Sequence, residues 1–322
     1  MYSSKILKSS ATKPMIQIQT LGADWVPLSQ DWTNRWCTLP EAYDQDFSKR
    51  IHDFETRESD VFVVTFMKCG TTWMQELAWL LLNNLDFERA KSNFLLRRSP
   101  HIEHSAIDNK VTVDNISMCD QLKDDRRLIK THLPAQLLPK QIWLNKRKII
   151  YVARNPKDVL VSSYHFLTGI GLWQGSLDEF TNQFIEDRII FTSYWSHVMD
   201  FYRMRHEPNV FFITYEEMKK DLKSIVSKLS KFLECKELNE NEMEKLLEHL
   251  SFANMKDNET CNPTELIKKV FNVKTDFQFM RKGVIGTHKD ELTPDQIKTV
   301  DTWSSNYLKE YGLIENNIFS HF

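Results

Sequence analysis

The feature that most constrains this chain is a short strand signature that runs into a glycine turn and then a helix. Val61 to Phe66 reads VFVVTF, an apolar, β-branched run of the kind seen in parallel strands covered on both faces. Lys68-Cys69-Gly70-Thr71-Thr72-Trp73 follows, and Thr71 to Leu85 then reads as a helix apolar on most of its faces, hence buried. The alternation recurs. Leu128 to Leu133 is a second strand, stopped by Pro134, Lys148 to Ala153 is a third and Val210 to Thr214 a fourth. Asn155-Pro156 opens a helix after the third strand, with Asn as N-cap and Pro at the first helical position. Leu222, Ile225, Val226, Leu229, Phe232 and Leu233 keep a 3.6-residue period, and Ile297 to Tyr311 forms the last helix, with Gly312 as its C-cap. The pattern predicts an α/β fold with a central parallel sheet flanked by helices. Ligand chemistry is then expected beyond the carboxyl ends of the strands. The 322 residues contain no internal repeat and no linker-like stretch. A single domain over residues 51–322 is expected, preceded by an irregular N-terminal segment over residues 1–50.

Composition narrows the function. A formal net charge of −2 argues against a basic nucleic-acid binder but leaves room for a local basic pocket. Five cysteines, an odd number with no CxxC pair, argue against a disulfide framework or a Cys-rich zinc site and favour a reducing compartment. No apolar run approaches the ~18–20 residues that span a bilayer. The N-terminal lysines Lys5, Lys8 and Lys13 come without a secretory apolar core. A cytoplasmic protein with neither a membrane nor a nucleic-acid partner is the expectation.

The strand ends carry the chemistry. Lys68 to Trp73 joins free helix-start N–H groups, a lysine and two threonine hydroxyls into an anion site. It is not a Walker A loop, because the lysine precedes the glycine and the first glycine is missing. An ordinary βα turn with a solvated lysine is the plainer alternative. Cys69, beside that lysine and at a helix start, is expected to be thiolate-prone, with an inert buried thiol as the alternative. In Leu128-Ile129-Lys130-Thr131-His132-Leu133-Pro134, period two puts Lys130 and His132 on one face. A cation there lowers the imidazole pKa and keeps a base available. The other nine histidines read as structural or surface. Arg154 ends the third strand and Ser162 lies about two helical turns on, a pair suited to a phosphate. Arg281-Lys282-Gly283, with Gly286, sets two cations among two of the chain's eight glycines and suggests backbone wrapped around a second phosphate. No convincing carboxylate set for a metal is visible.

These motifs, in this order between roughly Asp60 and Tyr311, resemble those of the cytosolic sulfotransferase family: Lys68 to Trp73, Lys130 to Pro134 with Leu137-Leu138-Pro139, Arg154 to Val159 with Ser162 and Tyr164, and Arg281 to Gly283 with Gly286 and Lys289. The resemblance implies a P-loop-like α/β fold, 3′-phosphoadenosine 5′-phosphosulfate (PAPS) as donor, its product PAP, no metal, and work in xenobiotic or hormone metabolism. It implies that Lys68, Cys69, Gly70, Thr71 and Thr72 hold the 5′-phosphosulfate. Trp73 and Phe252 would flank adenine, the latter in a matching segment with Leu250 and Ser251, and Tyr215 would contact the same region. Arg154, Ser162, Arg281, Lys282 and Gly283 would hold the 3′-phosphate. His132, Lys130 and Lys68 would be catalytic.

The chain also departs from the family pattern. Phe66-Met67 stands where Tyr-Pro is usual, and Thr287-His288 replaces Asp-Trp after Gly286. The family's dimer motif survives only as Lys289 and Thr293, which weakens the expectation of a homodimer by that route. The expected reaction is sulfuryl transfer to a hydroxyl of a small lipophilic acceptor, a phenol or steroid-like alcohol, with Phe166 in an apolar pocket. A variant that sulfonates and then eliminates, a P-loop kinase, and a nucleotide-binding protein without catalysis are the alternatives.

Overall fold

The computed structural model describes residues 2–7, 11–20, 22, 32, 35–107, 113–273 and 276–319. Three strands, β1 (Tyr2–Leu7), β2 (Met15–Thr20) and β3 (Cys37–Pro40), form an antiparallel sheet in the order β1-β2-β3. The helix Gln45–His52 follows. The expected irregular N-terminal segment is therefore corrected. β2 pairs with β3 over a wide sequence separation, Met15 opposite Pro40, so no local sequence pattern announces the pairing. Burial holds it in place: Ile18, Trp32, Cys37 and Leu39 are fully buried in the same core as the main sheet.

That main sheet is parallel, in the order β5-β4-β6-β7, from β4 (Val61–Val64), β5 (Leu128–Thr131), β6 (Lys148–Ala153) and β7 (Val210–Thr214). All four match the sequence reading, with β4 and β5 ending two residues early. Period two divides each strand between two cores. Phe62, Val64, Ile149 and Tyr151 pack on one face, while Val61, Val63, Ile150 and Val152 pack on the other. The second face is covered by the helices Thr71–Leu82 and Leu222–Phe232, through Leu77, Trp79, Val226 and Leu229. Helices Pro156–Gly169, Tyr194–Arg203 and Pro294–Lys309 cover the first, through Leu160, Val198 and Val300. This is a single α/β domain. A buried bidentate pair, Arg127 with Asp60 at 2.7 and 2.6 Å, ties together the starts of β4 and β5. The chain leaves β4 to build β5 on one side and returns past it to build β6 on the other, so the loops after β4, β5 and β6 converge at the carboxyl edge. Among the described residues no helix is long and apolar enough to cross a membrane.

Candidate active site

The loop after β4 is shaped by backbone conformation. Lys68 (φ 64°) and Gly70 (φ 97°) both lie in the left-handed region. At Gly70 a Cβ would sit 2.7 Å from the Tyr215 ring, so only glycine lets the loop pass that close. Gly70 caps the helix Thr71–Leu82 without a side-chain hydrogen bond, which leaves first-turn N–H groups for a ligand. The turn that lacks proline is fixed by packing instead: Phe66 is buried edge-on against Tyr194 (5.2 Å) and Phe184 (6.0 Å). Arg154 adds a tie, donating from Nη1 to the Lys68 carbonyl at 3.1 Å.

The Cys69 expectation is corrected. The thiol is fully buried, 3.8 Å from the Met67 carbonyl, and burial pushes its pKa far above the ordinary thiol range. The Arg154 charge acts to lower it, but desolvation outweighs that charge. Of the five cysteines Cys235 alone is not buried. Alkylation of the native, donor-free protein should therefore label Cys235 and spare Cys69. Peptide mapping that finds Cys69 modified would overturn this placement.

His132 sits at the end of β5, 7% exposed. Its Nδ1 lies 2.9 Å from the Thr65 carbonyl and must donate to it, since a carbonyl only accepts. Nε2 is then the unprotonated nitrogen, and His132 lines the large cavity described below. The backbone N–H of His132 donates to Glu103 Oε1 at 2.6 Å, and its carbonyl accepts from His197 Nε2 at 3.0 Å. Burial first, then Lys130 and His101, hold the imidazole well below its usual pKa. The lysines are shifted the same way. Burial and the charges of Arg154, Lys130 and Arg281 push Lys68 down to about 7, and burial pushes Lys130 down to about 8. Lys68 Nζ lies 4.4 Å from the Phe166 and Phe279 ring centres.

Arg154, 8% exposed, reaches two carbonyls, Lys68 and Val284 (3.3 Å), and lies 4.5 Å over the Tyr215 ring. Its Nε is buried without a hydrogen-bond partner among the described residues. The Trp73 indole N–H donates to the Leu250 carbonyl at 3.0 Å, and its ring stands edge-on to Tyr215 at 5.7 Å. Leu250 itself is core, while Ser251 caps the helix Phe252–Asp257. At Gly283 (φ 65°) a Cβ would meet the Phe252 ring at 2.2 Å. Arg281 and Lys282 are paired with Glu291, at 2.5 and 3.3 Å. The altered Thr287-His288 segment is anchored by Asp158, which accepts from Gly286 N (2.7 Å), His288 N (3.1 Å) and His288 Nδ1 (2.8 Å).

One cavity of about 880 Å³ gathers these groups. Lys68, Gly70, Thr71, Thr72, Trp73, Lys130, His132, Arg154, Ser162, Tyr215, Leu250, Ser251, Phe252, Arg281, Lys282, Gly283 and Phe166 all line it, and of the expected site residues only buried Cys69 does not. The cation of the loop after β4 and the apolar side chains Phe166, Leu167, Ile170, Leu172, Ile190 and Phe191 line it together, with Lys68 Nζ 4.4 Å from the Phe166 ring centre. The His132 ring lies 5.3 Å from that of Phe191 and feels the charge of Lys130. His101 and His104, read from sequence as structural or surface, also line the cavity, and the His101 ring lies edge-on to His132 at 5.0 Å. Thr65, Glu103 and Glu291 also touch site residues with no sequence expectation behind them, while Asp158 lies within the Arg154 to Val159 motif. A histidine-acid-histidine cluster around Ile102 was a usable signal; nothing local marks the Thr65 carbonyl.

The lysine shifts predict a pH dependence. An anionic ligand binds the protonated lysines and raises their pKa, so its affinity is full below about 7 and falls as pH rises through the donor-free values of about 7 and 8. Above that, each lysine adds up to about one decade of Kd per pH unit, with matching proton uptake on binding. Calorimetry in two buffers of different ionisation enthalpy reads that uptake; a Kd that stays flat across the range would refute it.

The fold and this cavity of buried cations and apolar side chains suit an anionic ligand beside a lipophilic one, and comparison with known proteins gives the class. The sulfotransferase domain model matches residues 58–312, and the chain belongs to the sulfotransferase family. It is similar to the luciferin sulfotransferase of Photinus pyralis, 41% identical over 289 residues, covering 84% of this chain and 78% of that protein. It is similar to sulfotransferase 1B1 of Canis lupus familiaris, 37% identical over 257 residues, covering 79% of this chain and 84% of that one. Among solved structures it is similar to retinol dehydratase in complex with androsterone and inactive cofactor PAP, with a TM-score of 0.86 and 25% identity, covering 98% of both chains.

Proposed function

We propose that the protein transfers the sulfuryl group of PAPS to a hydroxyl of a lipophilic alcohol or phenol. The observation that carries this reading is His132: a neutral imidazole, its tautomer set by the Thr65 carbonyl, that feels the charge of Lys130 and lies 5.3 Å from the Phe191 ring in a cavity lined by cationic and apolar side chains. The donor fits the residues present. First-turn N–H groups after Gly70, Lys68 and the threonine hydroxyls suit the 5′-phosphosulfate. The unpartnered Nε of Arg154, with Ser162 and Arg281 to Gly283, suits the 3′-phosphate. Trp73, Tyr215 and Phe252 offer faces for adenine. The donor supplies the activated sulfuryl group.

His132 Nε2 takes the acceptor's proton as the acceptor oxygen bonds to sulfur. The sulfur–oxygen bond to the 5′-phosphate breaks in line, and Lys68 and Lys130 stabilise the charge gathering on the leaving oxygen. The bound anion raises the lysine pKa values that burial had lowered, so both lysines are held fully protonated in the complex. The apolar side chains that line the cavity exclude water and select a lipophilic acceptor.

A second reading is sulfonation followed by elimination of sulfate, favoured by the likeness to retinol dehydratase over nearly the whole chain. Incubating the protein with sulfur-labelled PAPS and a panel of phenols, steroid alcohols and allylic alcohols separates the two. Labelled sulfate esters support transfer. Label recovered as inorganic sulfate, with an alkene formed in equal amount, supports elimination. No label leaving PAPS with any acceptor would refute both.

A further inference from the structure

We propose that Glu291 is a built-in counter-ion of the donor site: its carboxylate holds, in the donor-free protein, the cations that a 3′-phosphate would claim, and surrenders them when that phosphate arrives. Glu291 thereby sets the affinity and release rate of 3′-phosphorylated nucleotides. This rests on the placement of the 3′-phosphate at Arg281 to Gly283 given above.

Three observations carry it. First, one carboxylate serves three bases from two parts of the chain. Oε1 accepts from Arg281 Nη1 at 2.5 Å and from Lys282 Nζ at 3.3 Å, while Oε2 pairs with His165 Nε2 on the helix Pro156–Gly169. The pairing outweighs the cost of burial and holds the Glu291 carboxyl down at about 2, so it is an anion at every working pH. Second, Arg281 and Lys282 line the same cavity as Lys68 and Arg154, and Lys68 feels the charge of Arg281. Third, the nearby carboxylate of Asp158 is committed elsewhere: it holds Gly286 and His288 and comes only within 3.9 Å of Arg154.

Glu291 follows the short turn Thr287–Asp290 and is partly exposed, so its carboxylate can swing aside by side-chain rotation. Exchanging a carboxylate for a doubly charged phosphate is favourable, so binding is taxed rather than blocked. The tax falls equally on the donor and on the spent nucleotide, because both carry the 3′-phosphate. Faster product release is the expected benefit.

The test uses Glu291→Gln, with calorimetry of adenosine 3′,5′-bisphosphate and of adenosine 5′-monophosphate, which lacks the 3′-phosphate. The variant should bind the bisphosphate roughly fivefold to tenfold tighter, the size of a partly exposed charge-assisted pair. The monophosphate should bind as in the unaltered protein, which also certifies the fold. Bisphosphate affinity that is unchanged or weaker would overturn the proposal, as would equal shifts for both nucleotides. Arg281→Ala in the same assay tests the underlying placement separately. If that variant keeps the full preference for the bisphosphate, the 3′-phosphate lies elsewhere. If it loses the preference while Glu291→Gln changes nothing, the placement stands and only the role of Glu291 falls.

Discussion

His132→Ala is expected to lower turnover by ~10²–10⁴-fold, the usual cost of losing a general base. Donor affinity should barely change. The imidazole spends its one proton on the Thr65 carbonyl and keeps Nε2 for the acceptor, so it has nothing to donate to an anion. The groups suited to the donor lie on other segments, at Lys68 to Trp73, Arg154 and Arg281. Because burial and Lys130 hold the imidazole well below its usual pKa, the unaltered protein should show no loss of turnover from imidazole protonation near neutral pH. Any fall on the alkaline side belongs to the lysines. Single-turnover kinetics with saturating donor, beside calorimetry of donor binding, checks both halves. Turnover close to that of the unaltered protein, or lost donor binding, would sink the assignment.

Arg154→Ala should do the reverse, with turnover at saturation far less affected and donor KM raised roughly 10- to 100-fold, as for the loss of a charge-assisted contact worth ~1.5–3 kcal/mol. The side chain has two roles. It ties the Lys68 and Val284 carbonyls together, which joins the two loops proposed to hold the donor, and its Nε, unpartnered among the described residues, is available to a ligand. The diagnostic is selectivity. The variant should lose its preference for the 3′-phosphorylated nucleotide over the same nucleotide without that phosphate. Arg154→Lys should recover only part of it, since lysine offers a point charge and cannot reach two carbonyls and a phosphate at once. Preference intact in Arg154→Ala would show that the 3′-phosphate is held elsewhere.

The four parallel strands were legible because their determinants are local. VFVVTF and KIIYVA are β-branched runs too short for helices and too apolar for edges. Asn155-Pro156 announces its helix by capping chemistry, and in the structure the Asn155 side chain does cap it, accepting from Lys157 N at 3.0 Å. The loop proposed to hold the anion rests on the same kind of local signal: Lys68, Gly70 and the two threonines lie within five residues, and a helix start supplies the rest. Lys130 and His132 share a face by simple alternation. Each of these rests on neighbours along the chain.

What only the tertiary structure decided depends on groups far apart in sequence. The N-terminal sheet is a tertiary product: β1 and β2 lie close in sequence, but β3 joins β2 from farther along the chain, and their apolar residues are buried by a core built later in the chain. The tautomer of His132 is set by a carbonyl 67 residues away. Glu291 reaches back 126 residues to His165, and no spacing rule connects them. Cys69 shows the limit most directly. Its local sequence, a lysine and a helix start, argues for a thiolate, but burial by distant side chains desolvates the sulfur and reverses the sign. Sequence carries backbone preference and residue type; desolvation, tautomer and counter-ion are properties of an enclosed volume, which exists only once the chain has folded around it.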